Sequence, residues 1–149
     1  MIDGYSIATA ARSWLGTRFH HQGRLKKTQN HKGGVDCLGL LIGVAHELQI
    51  NATDGSKITA FDRTDYSHYP DTKALYKTLS SIMHSVLPET LAVGDIILLS
   101  IDDNPQHLGI VSDWHDRLGI IHAYAPAHAV VEHELDEYWR SKIVAVFRV

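Results

Sequence analysis

The chain has 149 residues, a length that fits one domain over 1–149 better than two. Hydrophobic residues make up 44% and charged residues 21%, enough apolar material for a core of normal size. With 14 basic against 17 acidic residues the formal net charge is −3, so nothing in the charge balance calls for a nucleic acid or an anionic membrane as partner. No apolar run approaches the roughly 20 residues needed to span a bilayer, and no membrane insertion is expected.

The chain opens Met1-Ile2-Asp3-Gly4-Tyr5-Ser6, without a basic stretch followed by a long apolar one. No secretory signal is read there, and synthesis in the cytoplasm is the expectation. Ser6 to Leu15 carries Ile7, Ala8, Ala10, Ala11, Trp14 and Leu15 at helical spacing, with Gly16 as the stop. Thr17 to Gly34 is polar and basic and reads as a loop. Asp36 is a candidate N-cap for a largely buried helix from Cys37 to Leu48, marked by Leu41, Val44, Ala45 and Leu48. Gln49 to Tyr69 reads as an irregular surface excursion. Asp71 to Val86 carries a second helical pattern, ended by Pro88.

After Gly94 the period changes to that of strands. Runs at Asp95–Ser100, His107–Ser112, Leu118–Tyr124, Ala129–Glu132 and Lys142–Val149 are separated by turn-forming residues, among them Asp102-Asp103-Asn104-Pro105. Helices first and strands afterwards predict an α+β domain with an antiparallel meander.

Cys37 is the sole cysteine, so the chain cannot form an internal disulfide. A lone cysteine is either a small inert hydrophobe or a reactive thiol. Its place at the first turn of a helix favours the second, because backbone N–H groups and the helix dipole there lower a thiol's pKa. Gly34 and Gly39 beside it leave room for close approach of a substrate. A thiol nucleophile also needs a base. His107 opens one strand and His122 lies in the next, so adjacent strands can hold the two rings side by side, one to take the proton and one to orient it. Spacing alone does not bring them to Cys37.

Several segments resemble the NlpC/P60 family of cysteine peptidases. Asp36-Cys37-Leu38-Gly39-Leu40 is similar to its nucleophile motif. Leu15-Gly16-Thr17-Arg18-Phe19, Gly94-Asp95-Ile96-Ile97-Leu98-Leu99, His107-Leu108-Gly109-Ile110 and Ile121-His122-Ala123 resemble its other segments, in the family's order. The resemblance implies a papain-like fold, with the cysteine helix packed on an antiparallel sheet. It also implies a Cys37–His107–His122 site without cofactor or metal, and cleavage of peptidoglycan stem peptides between D-glutamate and the diamino acid. Phe19-His20-His21-Gln22 and the Tyr138-Trp139-Arg140 ending are similar to a phage-tail and gene-transfer-agent branch. That branch implies tail proteins as partners and delivery to the wall on a phage-like particle.

The family usually has tyrosine at Phe19, and a phenyl ring cannot donate a hydrogen bond to an oxyanion. Gln22, His21 and His20 in the same loop are the candidate replacements, with the Cys37 backbone N–H. Asp36 is a candidate for binding a free amine of the stem peptide, or simply the helix cap. Leu38 replaces a common serine with little expected consequence.

The chain carries 11 histidines. His20, His21 and His31 invite a zinc reading, but no His-x₃-His pair on a helix and no second cysteine supports it. His46, His68, His84, His115, His128 and His133 read as surface or helix-face residues without chemical roles. Trp14 and Trp139 read as packing residues, and Tyr124 as either cleft lining or sheet packing. Two further readings stand beside the peptidase: a structural tail-tip component with weak or no activity, and an amidase or acyltransferase on another substrate.

Overall fold

A computed structural model of the chain describes residues 2–64, 73–101 and 104–149. Helix α1 covers Gly4–Arg12, with the Asp3 carboxylate accepting from Ser6 N–H as its N-cap. The helix ends three residues before the predicted Leu15. Trp14 and Leu15 follow in a turn whose N–H groups bond to Ala11 and Arg12 carbonyls. The predicted loop Thr17–Gly34 contains a two-residue ladder, β1 (Arg24–Leu25) against β2 (Gly34–Val35).

Helix α2, Cys37–Leu48, lies where the sequence puts it. Asp36 Oδ1 accepts from Gly39 N–H at 2.8 Å. Its far end closes on Gln49, in the left-handed conformation with φ 52°. Two glycines let α2 pack closely. A side chain at Gly43 would meet the Trp14 ring at 2.2 Å, so Trp14 seals α1 to α2 as a packing residue. A side chain at Gly39 would meet the Gly23 carbonyl at 2.2 Å. The close approach at Gly39 is therefore that of the chain's own loop, which corrects the expectation of a substrate there.

Beyond α2 the predicted surface excursion is partly core: Ile50, Ala52 and Ile58 are buried, the last in a 3₁₀ turn over Ile58–Phe61. Residues 65–69 of that excursion, His68 included, lie outside the described residues, as do Asp71 and the predicted turn residues Asp102 and Asp103. Helix α3 covers Ala74–Ile82, and strand β3 (His84–Val86) follows at once. The helical pattern extended through Val86. The chain instead turns extended at Met83 because Ser85 and Val86 pair with Phe147 and Val146.

The remaining strands are β4 (Ile96–Ile101), β5 (Asn104–Trp114), β6 (Arg117–Tyr124), β7 (Ala129–Glu134) and β8 (Ile143–Arg148), with a one-turn helix α4 (Glu137–Arg140) before the last. All pairings are antiparallel, in the order β3-β8-β4-β5-β6-β7. β4 to β7 form the expected meander. β8 departs from it, crossing back to the far side of β4.

The sheet is covered on both faces, which is why Ile96 to Leu99 is a continuous apolar run rather than an alternating one. Ile96 and Leu98 join Leu40, Leu41, Val44 and Phe147 in the core under the helices. Ile97 and Leu99 join Val111, Ile120, Leu135 and Val146 in a second cluster, flanked by Trp139 of α4. Asp95, 1% exposed, pairs with Arg148 at 2.7 Å and accepts from Ala92 N–H, tying the start of β4 to the end of β8.

Candidate active site

The site assembles where β5 and β6 part. Their ladder runs from Trp114↔Arg117 to Ile110↔Ile121. Toward His107 the β6-facing edge of β5 has no ladder partner in that register, and the first turn of α2 occupies that edge. Cys37 Sγ lies 3.7 Å from the Gln106 carbonyl and accepts from Leu108 N–H. These two groups flank His107 on the same strand. The helix cap thus points the half-buried thiol at the strand position that carries the histidine.

His107 is bonded in turn to β6: its Nε2 lies 2.6 Å from Nδ1 of His122. His122 is wholly buried. Tyr124 stacks on its ring, with centroids 4.9 Å apart, and Trp139 meets it edge-on at 5.1 Å. Trp139 is accordingly a packing residue, and Tyr124 packs on the site itself.

His122 has a further partner that corrects the sequence reading. Its Nε2 lies 2.9 Å from Nε2 of His133 on β7, whose Nδ1 reaches the Glu134 carbonyl at 2.8 Å. His133 is therefore half-buried and bonded to His122 rather than a free surface residue. The signal for it was the alternation of His133 with Val131 beside the register that pairs His122 with Val131. That register needed the β6–β7 connection to be known.

The loop residues pair with the segment that leads into the thiol. His20 N–H bonds to the Val35 carbonyl, and Val35 N–H to Arg18, so the loop runs beside the residues that lead into Cys37. His20 Nδ1 donates to the His21 carbonyl at 2.9 Å. Gln22, left-handed at φ 62°, donates its backbone N–H to Asp36 Oδ2 at 2.8 Å. Asp36 is buried, and Arg24 Nη1 lies 3.1 Å from its Oδ1. Its carboxylate thus binds Gly39, Gln22 and Arg24, which is the helix-cap reading with an ion pair added. Phe19 is packed on the core under the helices. Among the described residues, no group of three or more His, Cys, Asp or Glu side chains is arranged to hold a metal ion.

The electrostatics differ from the expectation for a helix N-terminus. Burial, and then the Asp36 charge, pushes the Cys37 thiol up to about 12, although backbone N–H groups of Leu108, Leu38 and Cys37 pull it down. Burial lowers His107 from 6.5 to about 4. Burial, with the neighbouring rings of His107 and His133, lowers His122 to about 2. The resting site is a neutral thiol beside neutral imidazoles.

This makes stability depend on pH in a defined direction. Below pH 6.5 the unfolded chain protonates both rings while the folded chain does not, so the folded state loses ground as pH falls. The contribution is complete above pH 6.5. It declines by about 1.4 kcal/mol per pH unit for each ring on acidification toward pH 5. Urea midpoints measured between pH 7 and pH 5, above the carboxylate range, are expected to fall steadily. A midpoint that stays level over that window contradicts the neutral-ring assignment. Above pH 9 the raised thiol acts in the opposite direction: only the unfolded chain then sheds its proton, so the folded state loses ground as pH rises.

No family model and no curated protein matches the chain. Solved structures do. An NlpC/P60 family protein from Bacillus cereus superposes with a TM-score of 0.63 at 14% identity, over 99% of this chain and 40% of that one. NlpC1 from Trichomonas vaginalis gives 0.61 at 18%, over 99% and 45%. An N-acetylmuramoyl-L-alanine amidase from Bacteroides uniformis gives 0.57 at 14%, over 97% and 96%. The fold is that of the NlpC/P60 proteins. The chain spans less than half the length of the first two.

Proposed function

We propose that the chain is a cell wall hydrolase that cuts an amide bond in peptidoglycan stem peptides with Cys37 as nucleophile. One observation carries this reading: the Cys37 thiol lies against the backbone on either side of His107, whose ring is held at 2.6 Å by His122. The NlpC/P60 fold and the amidase among its neighbours support a wall substrate.

The chemistry follows from the neutral resting site. His107 Nε2 is committed to His122, which leaves Nδ1 to take the thiol proton. As the proton moves, sulfur attacks the amide carbonyl, and the developing oxyanion needs donors. The Cys37 backbone N–H is one, with Gln22, His21 and His20 as side-chain candidates. The imidazolium returns its proton to the departing amine, leaving a thioester. Water, deprotonated by His107, then releases the acid and restores the thiol.

The bond we assign is that between D-glutamate and the diamino acid, and the setting a phage-like tail particle. The test is digestion of purified peptidoglycan with mass identification of the fragments. New diamino acid amines and D-glutamate carboxyls are the expected products. Release of intact stem peptides from muramic acid would make the chain an amidase instead. Phe19, lacking a hydroxyl and packed on the core, favours the second reading, a tail-tip assembly protein. That reading predicts no fragments, and binding to tail proteins that survives Cys37→Ala.

A further inference from the structure

We propose that His133, anchored on the Glu134 carbonyl, is a positioning residue that sets which nitrogen carries the hydrogen on His122 and on His107, leaving His107 Nδ1 bare for the thiol. The inference extends the reading of His107 as the base.

The argument starts at the outer end of the chain of rings. A carbonyl oxygen only accepts, so His133 Nδ1, 2.8 Å from the Glu134 oxygen, carries hydrogen. When His133 is uncharged this is its single N–H, and its Nε2 presents a lone pair. His122 Nε2, 2.9 Å away, must then donate to it. That leaves His122 Nδ1 bare, and His107 Nε2, 2.6 Å away, must donate in turn. His107 Nδ1 is the nitrogen left with a lone pair. The opposite assignment would set a lone pair of His133 against those of the Glu134 carbonyl, at a distance where repulsion is large.

The rings cannot evade this wiring by turning. His122 is buried between Tyr124 and the two neighbouring histidines, and Trp139 packs on both His122 and His133 at 5.1 Å. Without His133, His122 has no fixed acceptor at Nε2. It can then hold its hydrogen at Nδ1 and donate to His107. A His107 ring that accepts at Nε2 carries its hydrogen at Nδ1 and is useless as a base.

Nitrogen-15 NMR of the full chain with labelled histidines reads this wiring directly. In the wild type, His133 is expected as the Nδ1–H form, with His122 and His107 as Nε2–H forms. In His133→Leu the two inner rings should redistribute between forms. Turnover on stem peptide should then fall about 10- to 100-fold, the usual effect of losing an outer partner that orients a functional histidine, with KM unchanged. His133→Gln, whose amide oxygen can accept from His122 Nε2, should keep the wild-type forms and most of the turnover. Thermal unfolding of each variant tests that the fold is kept. A wild-type His107 protonated at Nδ1, or unchanged forms in His133→Leu, overturns the proposal. A wild type without hydrolysis overturns the hydrolase reading, while the NMR forms still decide the wiring.

Discussion

Alanine at Cys37, at His107, or at both is expected to lower stem-peptide hydrolysis by one and the same factor, on the order of 10⁴ to 10⁶. The equality is the informative part. With the thiol pushed up to about 12 and the imidazole down to about 4, neither group is charged near neutral pH. Sulfur becomes nucleophilic only as His107 takes its proton, so each residue is worthless without the other. The same arrangement predicts slow alkylation of Cys37 by iodoacetamide at pH 7, rising only as the solution becomes strongly alkaline. A site with a preformed thiolate would react fast at pH 7. Initial rates on a defined stem peptide, for the two single variants and the double, check the first expectation. Losses that multiply, or clear turnover by Cys37→Ala, would remove Cys37 and His107 from the mechanism.

Asp36→Ala is expected to destabilise the fold by about 2–3 kcal/mol, from the lost helix cap and the lost hydrogen bonds to a buried carboxylate. Asp36 is 5% exposed and meets three groups from two parts of the chain. It accepts from Gly39 N–H at 2.8 Å, from Gln22 N–H at 2.8 Å, and pairs with Arg24 at 3.1 Å. Its removal uncaps α2 and leaves Arg24 partly buried, still held by Asp62 at 3.0 Å. Asn at the same position keeps an oxygen for the Gly39 N–H and should lose less, by roughly the 1 kcal/mol typical of a cap. For a chain of this size each kcal/mol moves the melting temperature by about 2–4 °C. Melting curves of the two variants should therefore differ by about 2–4 °C. An Asp36→Ala protein that melts like the wild type but has lost affinity for amine-bearing stem peptides would restore Asp36 as a substrate group. Removing the charge should also let the thiol titrate lower, since Asp36 helps push it up.

What could be read without coordinates was whatever is local. The α2 helix was legible from Asp36 to Leu48 because its cap and its apolar spacing lie within neighbouring turns. The strands β4 to β8 were legible from apolar runs and turn residues. The buried cysteine turn stood out because a polar, glycine-rich loop meets an apolar helix there. The extended segment β3 was not legible: Val86 fits the helical stripe of α3, and pairing with β8, some sixty residues on, overrides that preference.

The candidate site divides along the same line. Cys37, His107 and His122 were chosen from sequence because each begins or lines an element of recognisable type. Four decisions belonged to the tertiary structure alone. It brought the thiol to the backbone around His107, because β5 and β6 part just there. It tied the capping Asp36 to the Gln22 N–H and the Arg24 guanidinium. It linked His133 to His122 through a strand register that no residue type announces. Last, it reversed the direction of the thiol's pKa. A helix N-terminus acts over one turn and lowers that pKa, whereas burial sums over every element packed around the sulfur, and here burial is the larger effect.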